Sequence, residues 1–456
     1  MANHFKSDED VRADQADKDD ATRSGATSPR GRRTKVIVGV GLAVAACAVG
    51  LGIWHFAAGG RGTAAQDDGA AKVVTVGKAS DDGSSSASGQ RKNVSLPFGV
   101  AGVDSSARVV KVGEGKTEVT LADEWEFGGD YREIGSFPID GSTVFGSATD
   151  DPDNLLSYQV SLIKSSSTKG LGAAPSADDY YEPQDGTGSA SRIVWRSARV
   201  NDSNAFGVDD WQVSCWEAKS NKVRVLASAE DLNGRSDTPG IVGEVVPTAD
   251  DSYVYFSSNV AKDGSSWECD VLAMPLEGGS VQNLGEGSFP AALSDGVAYA
   301  TGVLSDGHYA KVCTASDASL ASAKTRLTVQ SGSTTWGVTG VWASHKYRAV
   351  SFSPTGDAAQ TYVGLWSGDF KKNVIWLQIP SGSVVASMND NWFVWGSGSQ
   401  GSNAGMYAYR WSDGKTLYLG TAKGYSRPSV AQDSDTVMVP KTDGNNAASF
   451  RVGRLD

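Results

Sequence analysis

The residues of this 456-residue chain that could do chemistry are mostly acidic, and the densest group is TDDPDN at 149–154. Asp150, Asp151 and Asp153, with Asn154 beside them, offer the hard oxygen donors that Ca²⁺ takes. Their spacing completes no calcium-binding loop, and Asp, Pro and Asn in this order also make an ordinary turn. Calcium is the one metal the sequence suggests, and no organic cofactor is indicated. Asp209-Asp210 forms a second acidic pair, and DDYYE at 178–182 a third acidic group. If these loops share one end of the fold, that end attracts cations or basic ligands. His308, in SDGHY at 305–309, is the remaining candidate ligand-binding side chain, whereas His345 in SHKY reads as a solvated turn residue.

Other chemistry has little to draw on. Beyond residue 61 the histidines are His308 and His345, too few for a His-rich metal site and a poor supply for a Ser-His-Asp triad. No GxSxG is present, so a nucleophile elbow is not expected, and no catalytic residue is assigned. Paired carboxylates for glycoside hydrolysis need a fixed separation that only a fold supplies. Cys47, Cys215, Cys269 and Cys313 show no CxxC and suit neither zinc nor a disulfide framework. They read as small buried apolar residues, with one disulfide among the last three as the alternative. The net charge is −12, while residues 1–60 come to about +1, so the acidity lies in the remainder. An acidic domain without a basic patch does not bind a phosphate backbone, which argues against nucleic acid as a partner.

The elements that would hold these residues divide the chain. Residues 36–58, VIVGVGLAVAACAVGLGIWHFAA, contain no Asp, Glu, Lys or Arg. At 1.5 Å per residue they are long enough to cross about 30 Å of hydrocarbon. Arg30, Arg32, Arg33 and Lys35 precede the run, and only Arg61 follows closely. The positive-inside bias predicts a single-pass cell-membrane protein with a cytoplasmic N-terminus and an extracytoplasmic C-terminal domain. The expected divisions are a disordered tail (1–34), a transmembrane helix (35–59), a Gly/Ser/Asp-rich spacer (60–94) and one domain (95–456).

That domain reads as all-β and repetitive. Short runs of Val, Tyr, Trp and Phe alternate with Gly, Asp, Ser and Asn. An aromatic-led strand recurs at Tyr158, Trp211, Trp267, Tyr309, Tyr362, Tyr407 and Phe450, at intervals of 42 to 56 residues. A second strand precedes each: TVFGS, IVWRS, YVYFSS, VAYAT, RAVSF, WFVWG and TVMVP. Most of these follow a tight polar turn such as Asp140-Gly141 or Asn389-Asp390-Asn391. Repeats of this length with about four strands predict the blades of a β-propeller, seven by this count. The last repeat lacks an outer strand, and GKTEVTLAD at 115–123 is similar to GKTLYLGTA at 414–422. The N-terminal segment is therefore expected to complete the last blade and close the ring. RVVKV at 108–112 has no place in this count. Of the twelve tryptophans after Trp54, Trp125 and Trp336 lie in the least regular sequence and are the candidates for an exposed, sugar-stacking platform.

Residues 245–285, VVPTADDSYVYFSSNVAKDGSSWECDVLAMPLEGGSVQNLG, resemble the TolB-like (PD40-type) propeller repeat. Pro247, Asp250 and Asp251 stand near the positions of its first turn, and Gly278-Gly279 at its second. The resemblance implies a propeller and names no function, because such propellers serve binding proteins, scaffolds, lyases and peptidases. The leading expectation is a binding or scaffold module for a protein or cell-envelope ligand. The alternative is a carbohydrate-active enzyme, a glycan hydrolase or lyase using loop carboxylates.

Overall fold

The computed structural model describes residues 95–113, 117–128, 131–149, 159–171, 181–202, 205–235, 246–262, 266–305, 307–356, 360–380, 384–397, 405–421, 427–443 and 446–456. The expected tail, apolar span and spacer lie outside the described residues. Among the described residues no helix is long and apolar enough to cross a membrane.

The fold is all-β and propeller-like. Three short strands come first: β1 (Gly99–Ala101), β2 (Val109–Lys111) and β3 (Ala122–Gly128). A four-stranded antiparallel meander follows, β4 to β7 (Tyr131–Asp140, Thr143–Ala148, Gln159–Lys164, Ser167–Gly170). The next is β8 to β11 (Tyr181–Gly188, Arg192–Asp202, Ala205–Glu217, Lys222–Ser228), capped by a short helix α1 (Ala229–Asn233). Then come β12 to β15 (Thr248–Ala249, Tyr253–Ala261, Trp267–Pro275, Gln282–Glu286). Two further meanders are joined in one ten-stranded sheet. They are β16 to β19 (Ser288–Leu293, Gly296–Val303, Tyr309–Ala315, Lys324–Gln330) and β20 to β23 (Trp336–Ala343, Tyr347–Pro354, Thr361–Ser367, Lys372–Ile379), bridged where Tyr309 pairs with Val338. The chain ends with β24 to β27 (Val384–Met388, Trp392–Ser397, Met406–Arg410, Thr416–Gly420) and β28 to β30 (Ser429–Val430, Thr436–Asp443, Asn446–Arg454).

Local chemistry sets the hairpins. Asp250 Oδ1 accepts from the amides of Ser252 and Tyr253, at 2.7 Å each, and Oδ2 accepts from the Tyr255 hydroxyl at 2.6 Å. Asn389 does the same for Asn391 and Trp392, and its amide nitrogen donates across to Ala431 O and Ser434 O of the next sheet. These turns connect the first strand of a meander to the second, as the polar turns predict.

Sheets bury both faces, so their central strands carry apolar residues on both sides. Phe145 and Trp195 meet between the first two sheets, and Trp211 and Phe256 between the next two. Each following pair of meanders shares a cluster in the same way. Met438 and Phe450 of the last sheet then pack with Val144 and Ile163 of the first.

The N-terminal segment closes this arrangement differently from the expectation. The strand that pairs with β30 is β3, ADEWEFG at 122–128, not 115–123. Val119, inside the expected segment, falls one sheet earlier, where its N donates to Tyr418 O on β27. The resemblance of 115–123 to 414–422 reflects shared edge-strand composition, which does not fix register. RVVKV now has its place: β2 runs parallel to β23 along its outer edge. β1 lies antiparallel on the outer edge of β19. The described residues between 98 and 128 thus act as a strap along the outer edges of four consecutive meanders.

Candidate functional site

The sequence-selected residues share one topological position. The connection between the second and third strands contains Asp150, Asp151 and Asp153 in the first sheet, Asp209 and Asp210 near it in the second, and His308 in the fourth meander. Asp150, Asp151 and Asp153 lie outside the described residues. Asp209 and Asp210 stand on β10 between Phe206 and Trp211, where the ladder to β9 shifts register. There β9 and β10 overrun their sheet. Pairing with β8 stops at Arg199 and pairing with β11 at Gln212, while β9 and β10 continue to the pair Asp202 and Ala205. The result is a two-stranded ribbon past the end of the sheet.

His308 shapes a turn. Its amide donates to Ser305 O at 2.8 Å, its carbonyl accepts from Leu304 N at 2.9 Å, and Nδ1 lies 3.1 Å from Ser305 O, which places the proton on Nδ1. The residue is buried, with its Cβ close against Gly337. The same turn leaves Val303 and Leu304 in solvent, 50% and 40% exposed.

Between these two elements the β12–β15 sheet carries a carboxylate network that sequence reading missed. Asp270 is fully buried, and its Oδ2 accepts from Lys262 Nζ at 2.8 Å and Asn283 Nδ2 at 2.6 Å. Glu268 holds Lys262 from the other side at 3.3 Å. Burial, then Glu268 and Asp270, push the Glu286 carboxyl above its ordinary value. Asp270 and Glu286 are cross-strand neighbours 16 residues apart in sequence, a pairing set by register alone.

A second missed pair, Asp185 and Arg196, is also cross-strand, at 2.7 Å. Burial raises the Asp185 carboxyl above its usual range, against the pull of Arg196 and Arg427. The folded chain therefore binds this proton at a higher pH than the unfolded chain. Asp185 contributes least to stability near neutral pH, and stability rises as pH falls through its folded pKa toward the ordinary carboxylate value. D185N is expected to flatten that acid-side rise in melting temperature between pH 7 and pH 4. An unchanged slope would show that Arg196 keeps Asp185 ionised in the fold.

The thiols and indoles belong to the packing. Cys215, Cys269 and Cys313 are free thiols. Burial pushes Cys215 up to about 11 and Cys269 up to about 12, which leaves little thiolate at neutral pH. Trp336, a candidate for exposure, is 6% exposed and stacked on Phe98 at 4.8 Å, because the strap covers it. Trp125 is half-buried and packs on Phe127. Neither stands free as a platform for a sugar ring. Among the described residues no group of three His, Cys, Asp or Glu is placed to hold a metal ion.

No protein-family model matches the chain, and no curated protein matches it. Solved structures do. An oligogalacturonate lyase in complex with manganese is 12% identical, with a TM-score of 0.47, over 80% of this chain and 98% of that one. The β-propeller domain of the trilobed protease from Pyrococcus furiosus is 7% identical, with a TM-score of 0.43, over 72% and 96%. TolB from Acinetobacter baumannii is 8% identical, with a TM-score of 0.37, over 70% and 78%. These are distant likenesses, and the propeller-like arrangement is read from this chain's own consecutive antiparallel meanders.

Proposed function

We propose that the chain is a membrane-anchored, extracytoplasmic propeller of seven blades that binds a protein or cell-envelope ligand at the end where the second-to-third-strand connections lie. Counting the two meanders of the ten-stranded sheet separately supports the blade number. The anchor and its direction rest on the apolar run at 36–58 and the basic residues before it.

One observation carries the binding reading. Three consecutive meanders present unlike groups at the same end: the overrunning β9–β10 ribbon with Asp209 and Asp210, the Lys262, Glu268 and Glu286 network, and the exposed Val303 and Leu304. Apolar contact area beside fixed charges is the composition of a recognition surface. The alternative, a carbohydrate-active enzyme, would use the carboxylates of that same end.

Photo-cross-linkers placed at Phe206 and Leu304 in native membranes test the reading. Adducts with a protein or envelope glycan are expected from these positions, and none from Ser142 or Ser434 at the opposite end. Adducts from the opposite end alone would overturn it. Product release from an envelope polysaccharide, abolished by E268Q, would replace it with the enzyme reading.

A further inference from the structure

The edge-covering segment has a near-copy in the spacer. Lys72-Val73-Val74-Thr75-Val76-Gly77 matches Arg108-Val109-Val110-Lys111-Val112-Gly113 at three valines and the glycine, with Lys for Arg at the first position. The structure shows what the second copy does. Trp376 N donates to Arg108 O at 3.0 Å, Val112 N donates to Gln378 O at 2.9 Å, and the Val112 side chain is buried in the cluster that holds Ile375 and Leu377. This pattern of residues is an edge-binding strand.

Among the described residues, the outer edges of β19, β23, β27 and β30 are covered by β1, β2, Val119 and β3. Three outer strands remain: β7, β11 and β15. β7 is the polar tetrapeptide STKG. β15 is interrupted by Gly285 at φ +88, with the Leu320 side chain over it. β11 is a seven-residue strand with Val225 53% exposed. A long open edge with an exposed valine invites another strand.

We propose that KVVTV at 72–76 pairs with the outer edge of β11 as a fifth strand, so that the strap continues around further sheets. The chain length permits it. Ten residues separate Val100 on one meander from Val110 on the next, and two such steps lie between β11 and β19, which calls for about twenty residues. Val74 precedes Val100 by 26. The pairing does not depend on the membrane reading.

Hydrogen exchange of the full-length protein in detergent micelles tests this, comparing it with V74P, which removes a strand N–H outside the described domain. Amides of residues 222–228 are expected to exchange about tenfold faster in V74P, with β23 amides unchanged. Equal exchange in both proteins, with β11 unprotected, overturns the proposal. Protection of β11 that survives V74P and grows with protein concentration overturns it too, and assigns the edge to a second copy of the chain.

Discussion

Replacing Phe98 by Ala is expected to destabilise the β-sheet domain by about 3–5 kcal/mol, the range for a buried aromatic truncated in a core. Phe98 belongs to no strand and lies only eleven residues before β2, yet it is 6% exposed. Its ring stands 4.8 Å from Trp336, 5.1 Å from Phe352, 5.8 Å from Tyr362 and 6.0 Å from Trp376. Those four rings come from β20, β21, β22 and β23, so Phe98 plugs a pocket that one meander makes and the strap fills. Truncation leaves a cavity ringed by flat, stiff side chains that collapse poorly. Denaturant unfolding should show the loss, and the thermal midpoint should fall by roughly 5–10 °C. F98L, which keeps most of the volume, should cost about 1–1.5 kcal/mol. A loss below about 1 kcal/mol for the alanine variant would mean that the strap rests on the sheets without holding them.

The sequence shows the second and third strands of every meander, because both are buried on two faces and rich in aromatic and β-branched residues. All seven aromatic-led strands appear as third strands, from β6 to β30. The first strands were nearly invisible. β8 is YEPQDGTG and β28 is only Ser429-Val430, with Gly, Pro and Ser where a hydrophobic period would be read. These strands are held by their neighbours, and propensity plays little part. The strap was half legible. Its strand-forming pattern at 108–112 was visible, but its partner lies about 265 residues away and only tertiary contact assigns it. The candidate end of the fold was legible only through its loops. Asp270 with Glu286, and Asp185 with Arg196, come together by cross-strand register, which spacing in sequence does not reveal. Asp209 and Asp210 were read as loop residues, whereas they sit on the ribbon of β10, where a register shift breaks the ladder.

Removing residues 95–128 while keeping 129–456 is expected to abolish cooperative unfolding of the domain altogether. The deletion takes more than an outer strand. β30 loses its ladder to β3, and Phe450 loses the Phe127 ring stacked at 4.9 Å. Arg451, whose side chain is 12% exposed, loses Glu118 and Glu124, leaving a nearly buried cation unpaired. The Trp366 and Trp376 indoles lose the carbonyls of Asp104 and Ser105 as acceptors. Each buried donor left without a partner costs about 1–3 kcal/mol, and the exposed edge of β30 favours aggregation. A synthetic peptide of residues 95–128 added in trans should restore a cooperative melt, because the strap enters through side-chain plugs and edge pairing and requires no threading. Two shorter peptides divide the effect. Residues 117–128 restore only the closing strand and Arg451 pairing, whereas residues 95–113 restore the Phe98 plug and the edges of β19 and β23. Recovery with 117–128 alone would make closure of the last sheet the whole of the strap's contribution. Recovery that needs both would show that a segment on the outside of the sheets stabilises them as strongly as the strand that closes them.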